Sequence, residues 1–173
     1  RDIVEGLIAA PFHALSMLRP GLRKVGFARY FNPGATPFAS AGVINVSSDP
    51  SPTDVSEVVT WPADGAVTPL VAFSGNESPD PLLATSCAGL DFPILPGTSV
   101  AYAGLPIIVQ NAPDGAVDVT LVDESTGNEI EQCVVTPTDF PDSSASSLIL
   151  QASSAFFVIP RDPLARNHAY RLT

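Results

Sequence analysis

The sequence predicts a mainly β protein: an antiparallel β-sandwich preceded by a partial α/β segment of two short helices and a β-hairpin. Three observations predict it. Eighteen Pro and twelve Gly in 173 residues exclude a helical bundle, since Pro breaks helix interiors. Runs of four to eight apolar or β-branched residues alternate with turn signals after about residue 58. Apolar residues recur at helical spacing only near the start of the chain.

In chain order, Ile3, Val4, Leu7 and Ile8 have helical spacing, with Asp2 and Glu5 at the end where the helix dipole favours acids. Pro11 ends this helix or opens the next turn, and His13 to Leu18 form a second short helix stopped by Pro20-Gly21. Val25 to Phe31 reads as a strand, Asn32-Pro33-Gly34 as a turn, and Gly42 to Ser47 as the returning strand. Residues 48–66 open with the polar, Pro-rich Ser48-Asp49-Pro50-Ser51-Pro52-Thr53-Asp54 and read as a linker, which divides the chain into 1–47, 48–66 and 67–173. Strands follow at Val67 to Phe73, Leu105 to Gln110, Val117 to Val122, Glu129 to Val135, Leu148 to Gln151, Ala155 to Ile159 and Ala169 to Leu172. Short strands at this spacing point to a sandwich of immunoglobulin type. The last one is cut short, so a sandwich ending there would lack a strand or take one from another chain.

Charge is divided as sharply as structure. The net charge is −10, yet residues 30–160 hold no Lys or Arg and fifteen Asp or Glu. Arg1, Arg19, Arg23, Lys24 and Arg29 precede this stretch, and Arg161, Arg166 and Arg171 follow it. Nucleic acid is excluded as a partner, because phosphate contacts need Lys and Arg. An anionic membrane surface is disfavoured for the same reason. No apolar stretch is long enough for a transmembrane segment. The chain begins at Arg1 without a signal peptide and is expected to be a mature or trimmed segment of a longer protein.

Few residues carry chemistry. No phosphate loop, dinucleotide fingerprint or Gly-x-Ser-x-Gly occurs. The histidines, His13 and His168, stand alone in sequence. Asp123-Glu124 and Glu129-x-Glu131 flank one turn; a solvated acidic rim accounts for them better than a Ca²⁺ loop, whose spacing they lack. Asn45-Val46-Ser47 and Asn76-Glu77-Ser78 match the short N-glycosylation pattern. Cys87 and Cys133 form either a disulfide, as an even count favours outside the cell, or two buried thiols. No Cys or His spacing suggests zinc. Trp61 either anchors a joint between modules or plugs the sandwich end.

Residues 8–28, Ile8-Ala9-Ala10-Pro11-Phe12-His13-Ala14-Leu15-Ser16-Met17-Leu18-Arg19-Pro20 and then Gly21-Leu22-Arg23-Lys24-Val25-Gly26-Phe27-Ala28, resemble the end of a bacterial CAP-superfamily (SCP-like) domain. The resemblance implies that His13 lies in a central cleft, where a second His and two Glu would join it around a divalent metal. Phe12 and Ala14 stand where the family has Gly and Arg, and the remaining tetrad residues belong to an earlier part of the domain. Trp61-Pro62-Ala63-Asp64-Gly65, Phe73 to Pro81, Leu105 to Gln110 and Val158 to Leu164 look like the joint and strands of an immunoglobulin-like module that follows such domains. The Cys87/Cys133 pair is similar to a disulfide in that module.

The expectation is thus a secreted or cell-surface binding module with no complete catalytic site and no cofactor of its own. A divalent metal belongs to a complete CAP module, with His13 as its one ligand in this chain. The ligand would be a protein, glycan or lipid. The competing expectations are a structural or adhesive subunit that self-associates through an open sandwich edge, and a hydrolase or metal-dependent enzyme with His13 as a cleft residue.

Overall fold

The computed structural model describes residues 3–37, 39–46, 57–75, 77–113, 115 and 117–173. The Pro-rich stretch of the expected linker, Asn76 of the second glycosylation pattern and Ser47 of the first lie outside the described residues. The fold is mainly β, as expected.

Helices α1 (Ile3–Ala9) and α2 (Pro11–Met17) come first. Pro11 occupies the first turn of α2, where its missing N–H costs nothing and its fixed φ favours helix entry. Strands β1 (Gly26–Phe31) and β2 (Ser40–Asn45) form the hairpin, with Gly26 opposite Asn45 and Phe31 opposite Ser40. Its turn is shaped by Asn32, whose Oδ1 accepts from Gly34 N at 3.1 Å.

β3 (Val59–Trp61) lies within the segment read as linker. It is the edge strand of a four-stranded antiparallel sheet ordered β3-β6-β10-β9, with β6 (Ile107–Gln110), β9 (Gln132–Val135) and β10 (Phe156–Pro160). β4 (Ala72–Phe73) pairs with β5 (Ala103–Gly104). A three-stranded sheet is ordered β11-β7-β8, from β7 (Leu121–Asp123), β8 (Asn128–Glu129) and β11 (Tyr170–Leu172).

Three expected strands are corrected. Of Val117 to Val122 only Leu121 and Val122 lie in a strand, β7, and residues 117–120 precede it. Leu148 to Gln151 belong to helix α3 (Ala145–Ala152). Alternating Leu148 and Leu150 suggested a strand, but Ser144 caps the helix by accepting from Ser147 N at 3.2 Å. Gln151 Nε2 then donates to Ser147 Oγ at 2.8 Å, a contact that only helical spacing provides. The strand expected over Val67 to Phe73 shrinks to β4. Pro69 has no N–H for a ladder, Thr68 Oγ1 takes the N–H of Leu70 in a local turn, and Val67 is 98% exposed.

One core joins the two ends of the chain. Phe12, Ala14 and Leu15 of α2 pack in the same buried cluster as Ile108, Val135, Leu150, Phe157 and Ile159. Phe12 meets Phe157 edge to face, with ring centroids 5.1 Å apart. Gln110, almost fully buried, donates from Nε2 to the Leu18 carbonyl at 3.0 Å and ties the end of α2 to β6. The linker near residue 50 is therefore not a boundary between cores. Trp61 packs partly buried against this cluster from β3.

Cys87 and Cys133 form a disulfide with Cα atoms 5.1 Å apart. It fastens a 3-10 turn (Thr85–Cys87) to β9. Closing a loop of 46 positions stabilises by roughly 4 kcal/mol in the chain-entropy view. Asp139 reinforces the same strap, accepting from Ser86 N at 2.9 Å and Thr85 Oγ1 at 3.0 Å.

Candidate functional site

Each histidine has a carboxylate partner far away in sequence. Pro11 leaves Phe12 and His13 to present the first free N–H groups of α2, and Ala10 has no side chain to cap them. Glu77 does so instead. Its Oε2 accepts from Phe12 N at 3.2 Å, and its Oε1 from His13 N at 2.7 Å. Oε1 also lies 2.6 Å from His13 Nδ1, so a hydrogen bond joins ring and carboxylate. The Glu77 side chain is fully buried, whereas that of His13 is half exposed.

Burial pushes the Glu77 carboxyl above its ordinary range, because a charge is costly away from water; the hydrogen bonds from His13 and Phe12 oppose the shift without cancelling it. Two positions before Glu77, Gly75 has φ +59°, and a Cβ there would run into the Ala101 carbonyl.

His13 borders a groove of about 350 Å³ formed by Ser16 and Met17 of α2, Gly42 to Ile44 of β2, and Ser78-Pro79. The resemblance placed His13 in a cleft with metal-binding partners. Both Glu77 oxygens are already engaged by helix N–H groups, and no group of three His, Cys, Asp or Glu side chains gathers among the described residues. The described residues thus do not by themselves build a divalent-metal site around His13.

His168 pairs with Asp123. Its Nδ1 lies 2.8 Å from Asp123 Oδ2, while Oδ1 accepts from Ser125 N at 2.8 Å. Asp123 is 6% exposed, so it is no part of the solvated rim expected of the acidic turn; Glu124 and Glu131 are, paired with Arg171 and Arg161 at 2.9 and 2.8 Å. Burial also raises the Asp123 carboxyl, but hydrogen bonds from His168, Ser125 and Thr126 outweigh it and the net shift is downward.

His168 stacks against Tyr170, whose hydroxyl accepts from Ala165 N at 2.7 Å. Both rings border a cleft of about 1130 Å³ between the 62–71 segment, β6, β7 and β11. Leu105 and Leu121 form its buried floor. Neither imidazole Nε2 is hydrogen-bonded to a Ser, Thr or Cys among the described residues, so neither pair is a complete nucleophilic relay.

Glu77 and the Asp123–His168 contact escaped the sequence reading. Their partners are 64 and 45 positions apart, and no local pattern marks them. No family model, curated protein or solved structure matches the chain.

Proposed function

We propose that this chain is a binding and interaction module of a secreted or cell-surface protein, a CAP-like segment followed by an immunoglobulin-like β-sandwich, and that hairpin β1–β2 is its contact surface. The observation that carries this reading is the hairpin's uncovered apolar surface. Phe27 and Phe31 on one face are 63% and 62% exposed, and Tyr30 and Val43 on the other are 60% and 61% exposed. A two-stranded hairpin is marginal in water, and clustered exposed aromatic residues mark an interaction surface. Among the described residues, half-buried Ile44 and Arg19, which donates to the Val46 carbonyl at 3.4 Å, hold its base.

Other features support the finer parts. The helix-helix-strand-strand order agrees with the CAP-like segment, and His13 at a groove agrees with its family position. The four-stranded and three-stranded antiparallel sheets and the disulfide favour an immunoglobulin-like module outside the cell. Among the described residues, no helix is long and apolar enough to cross a membrane.

Two measurements test the reading. A further His and two Glu encoded upstream of Arg1 complete the family tetrad; an upstream sequence without them removes the CAP assignment. A photoreactive residue replacing Phe31 is expected to cross-link the hairpin to a partner under native conditions; failure to cross-link to anything removes the contact surface.

A further inference from the structure

Away from the two histidine–carboxylate pairs, one exposed turn sets a carboxyl beside an unshielded backbone nitrogen. Ala66 N donates to the Ala63 carbonyl at 2.9 Å and closes a turn with Asp64 and Gly65 at its centre. Gly65 has φ +68° and Asp64 does not have a positive φ, which is the type II form, with Gly at the position that needs it. The turn bond uses Ala66 N and leaves Gly65 N outside it. Both central residues are exposed, and a Cβ on Gly65 would meet nothing within 4 Å. Neither the Asp64 carboxyl nor Gly65 N has a hydrogen-bond partner among the described residues.

The other described Asp residues are less well placed to react with the next backbone nitrogen. Asp80 and Asp162 precede Pro81 and Pro163, whose nitrogens carry no hydrogen to lose. Asp123 is nearly buried, and its oxygens are engaged by His168 and Ser125 N. Asp139 accepts from Thr136 N and Ser86 N. Asp91, Asp118 and Asp142 precede Phe92, Val119 and Ser143, whose side chains crowd the nitrogen that Gly65 leaves open. A second Asp-Gly pair has its Asp114 outside the described residues.

We propose that Asp64 is a site of spontaneous backbone modification, isomerising to isoaspartate in the folded chain. Gly65 N bonds to the side-chain carboxyl carbon of Asp64. The amide proton and the carboxyl hydroxyl leave as water, which gives a cyclic succinimide. Water then adds at the former main-chain carbonyl carbon, and the bond from that carbon to Gly65 N breaks. One water is released and one consumed, so mass is unchanged and no other reactant takes part. The main chain now runs through the side chain and is one carbon longer, and a carboxylate is left on the α-carbon. Asp64 and Gly65 line the large cleft and lie outside both buried clusters. Ageing therefore remodels one wall of the cleft and spares the core.

Incubation of the folded full chain at neutral pH and physiological temperature tests this. Trypsin finds no Lys or Arg in residues 30–160 and returns both Asp-Gly pairs in one piece. A protease that cuts before Asp but not before isoaspartate separates them. Its cut before Asp64 is expected to fade with time at a rate within about tenfold of that in a free peptide of residues 60–68, because an exposed turn opens at little cost. Methyl transfer by an isoaspartyl methyltransferase counts the product independently. The wild-type chain is expected to gain more acceptor sites than Asp64→Glu, whose longer side chain would need a larger ring and whose exposed position leaves the melting temperature unchanged. A cut at Asp64 that fades more than about tenfold slower than in the peptide, or an Asp64→Glu chain that gains as many acceptor sites as wild type, overturns the proposal.

Discussion

The two histidine–carboxylate pairs share a contact and differ in environment. Glu77 is fully buried, caps a helix and has its carboxyl pushed up; Asp123 is nearly as hidden, yet its carboxyl is held down. Both are penalised first by burial. The sign is decided by whether the hydrogen bonds outweigh that penalty. Asp123 sits in a turn where the Ser125 N–H and Thr126 hydroxyl reinforce the bond from His168, and they prevail. Glu77 has donors only from α2 and lies deeper, and burial prevails. A histidine beside an acid is therefore not one kind of site: the first pair holds an element in place, and the second stands at the edge of an open cleft.

The largest effect is expected from Glu77→Ala, which strips Phe12 N and His13 N of their buried acceptor. It should lower stability by about 3 kcal/mol, read from the denaturant midpoint. A loss no larger than that of an exposed substitution would break the distinction between the pairs. Gly75→Ala acts indirectly, by straining a left-handed residue against the Ala101 carbonyl, and should cost about 2 kcal/mol. Asp123→Asn should destabilise less than either, because the amide still accepts from one neighbour.

The pH dependence sharpens the same contrast. A raised Glu77 means the folded chain binds that proton more tightly, so its contribution is complete below pH 4.5, the ordinary value, and is lost as pH rises through the raised value. A lowered Asp123 contributes above pH 3.8 and is lost as pH falls through the lowered value. Glu77→Gln should flatten the stability profile on the first side, and Asp123→Asn on the second. Both variants flattening the same side would refute the opposite signs. The smallest change is expected for His13→Ala, below about 1 kcal/mol, since Glu77 keeps both backbone donors when the half-exposed ring is gone.

Legibility in the sequence followed the range of the forces. The first two helices and the hairpin were readable because Pro11, Pro20-Gly21 and Asn32-Pro33-Gly34 act within a few residues. Strand β10 was readable because Phe156 to Ile159 is a dense apolar run. Helix α3 was misread, since leucines two apart satisfy a strand and its cap rests on Ser144, common in loops as well. Residues 59–61 looked like linker because an edge strand of three residues is defined by its neighbour β6. Glu77 lay in a pattern suggestive of glycosylation, while its role comes from α2.

The sequence by itself determined the mainly β class, the charge split and the short-range turns, through backbone propensities and hydrophobic patterning that act locally. Tertiary structure alone decided that α2 shares a core with the sheets, that Glu77 meets His13 and Asp123 meets His168, and which way each carboxyl shifts. Those outcomes depend on burial and on donors brought from 45 to 65 positions away, and neither is defined until the chain has closed on itself.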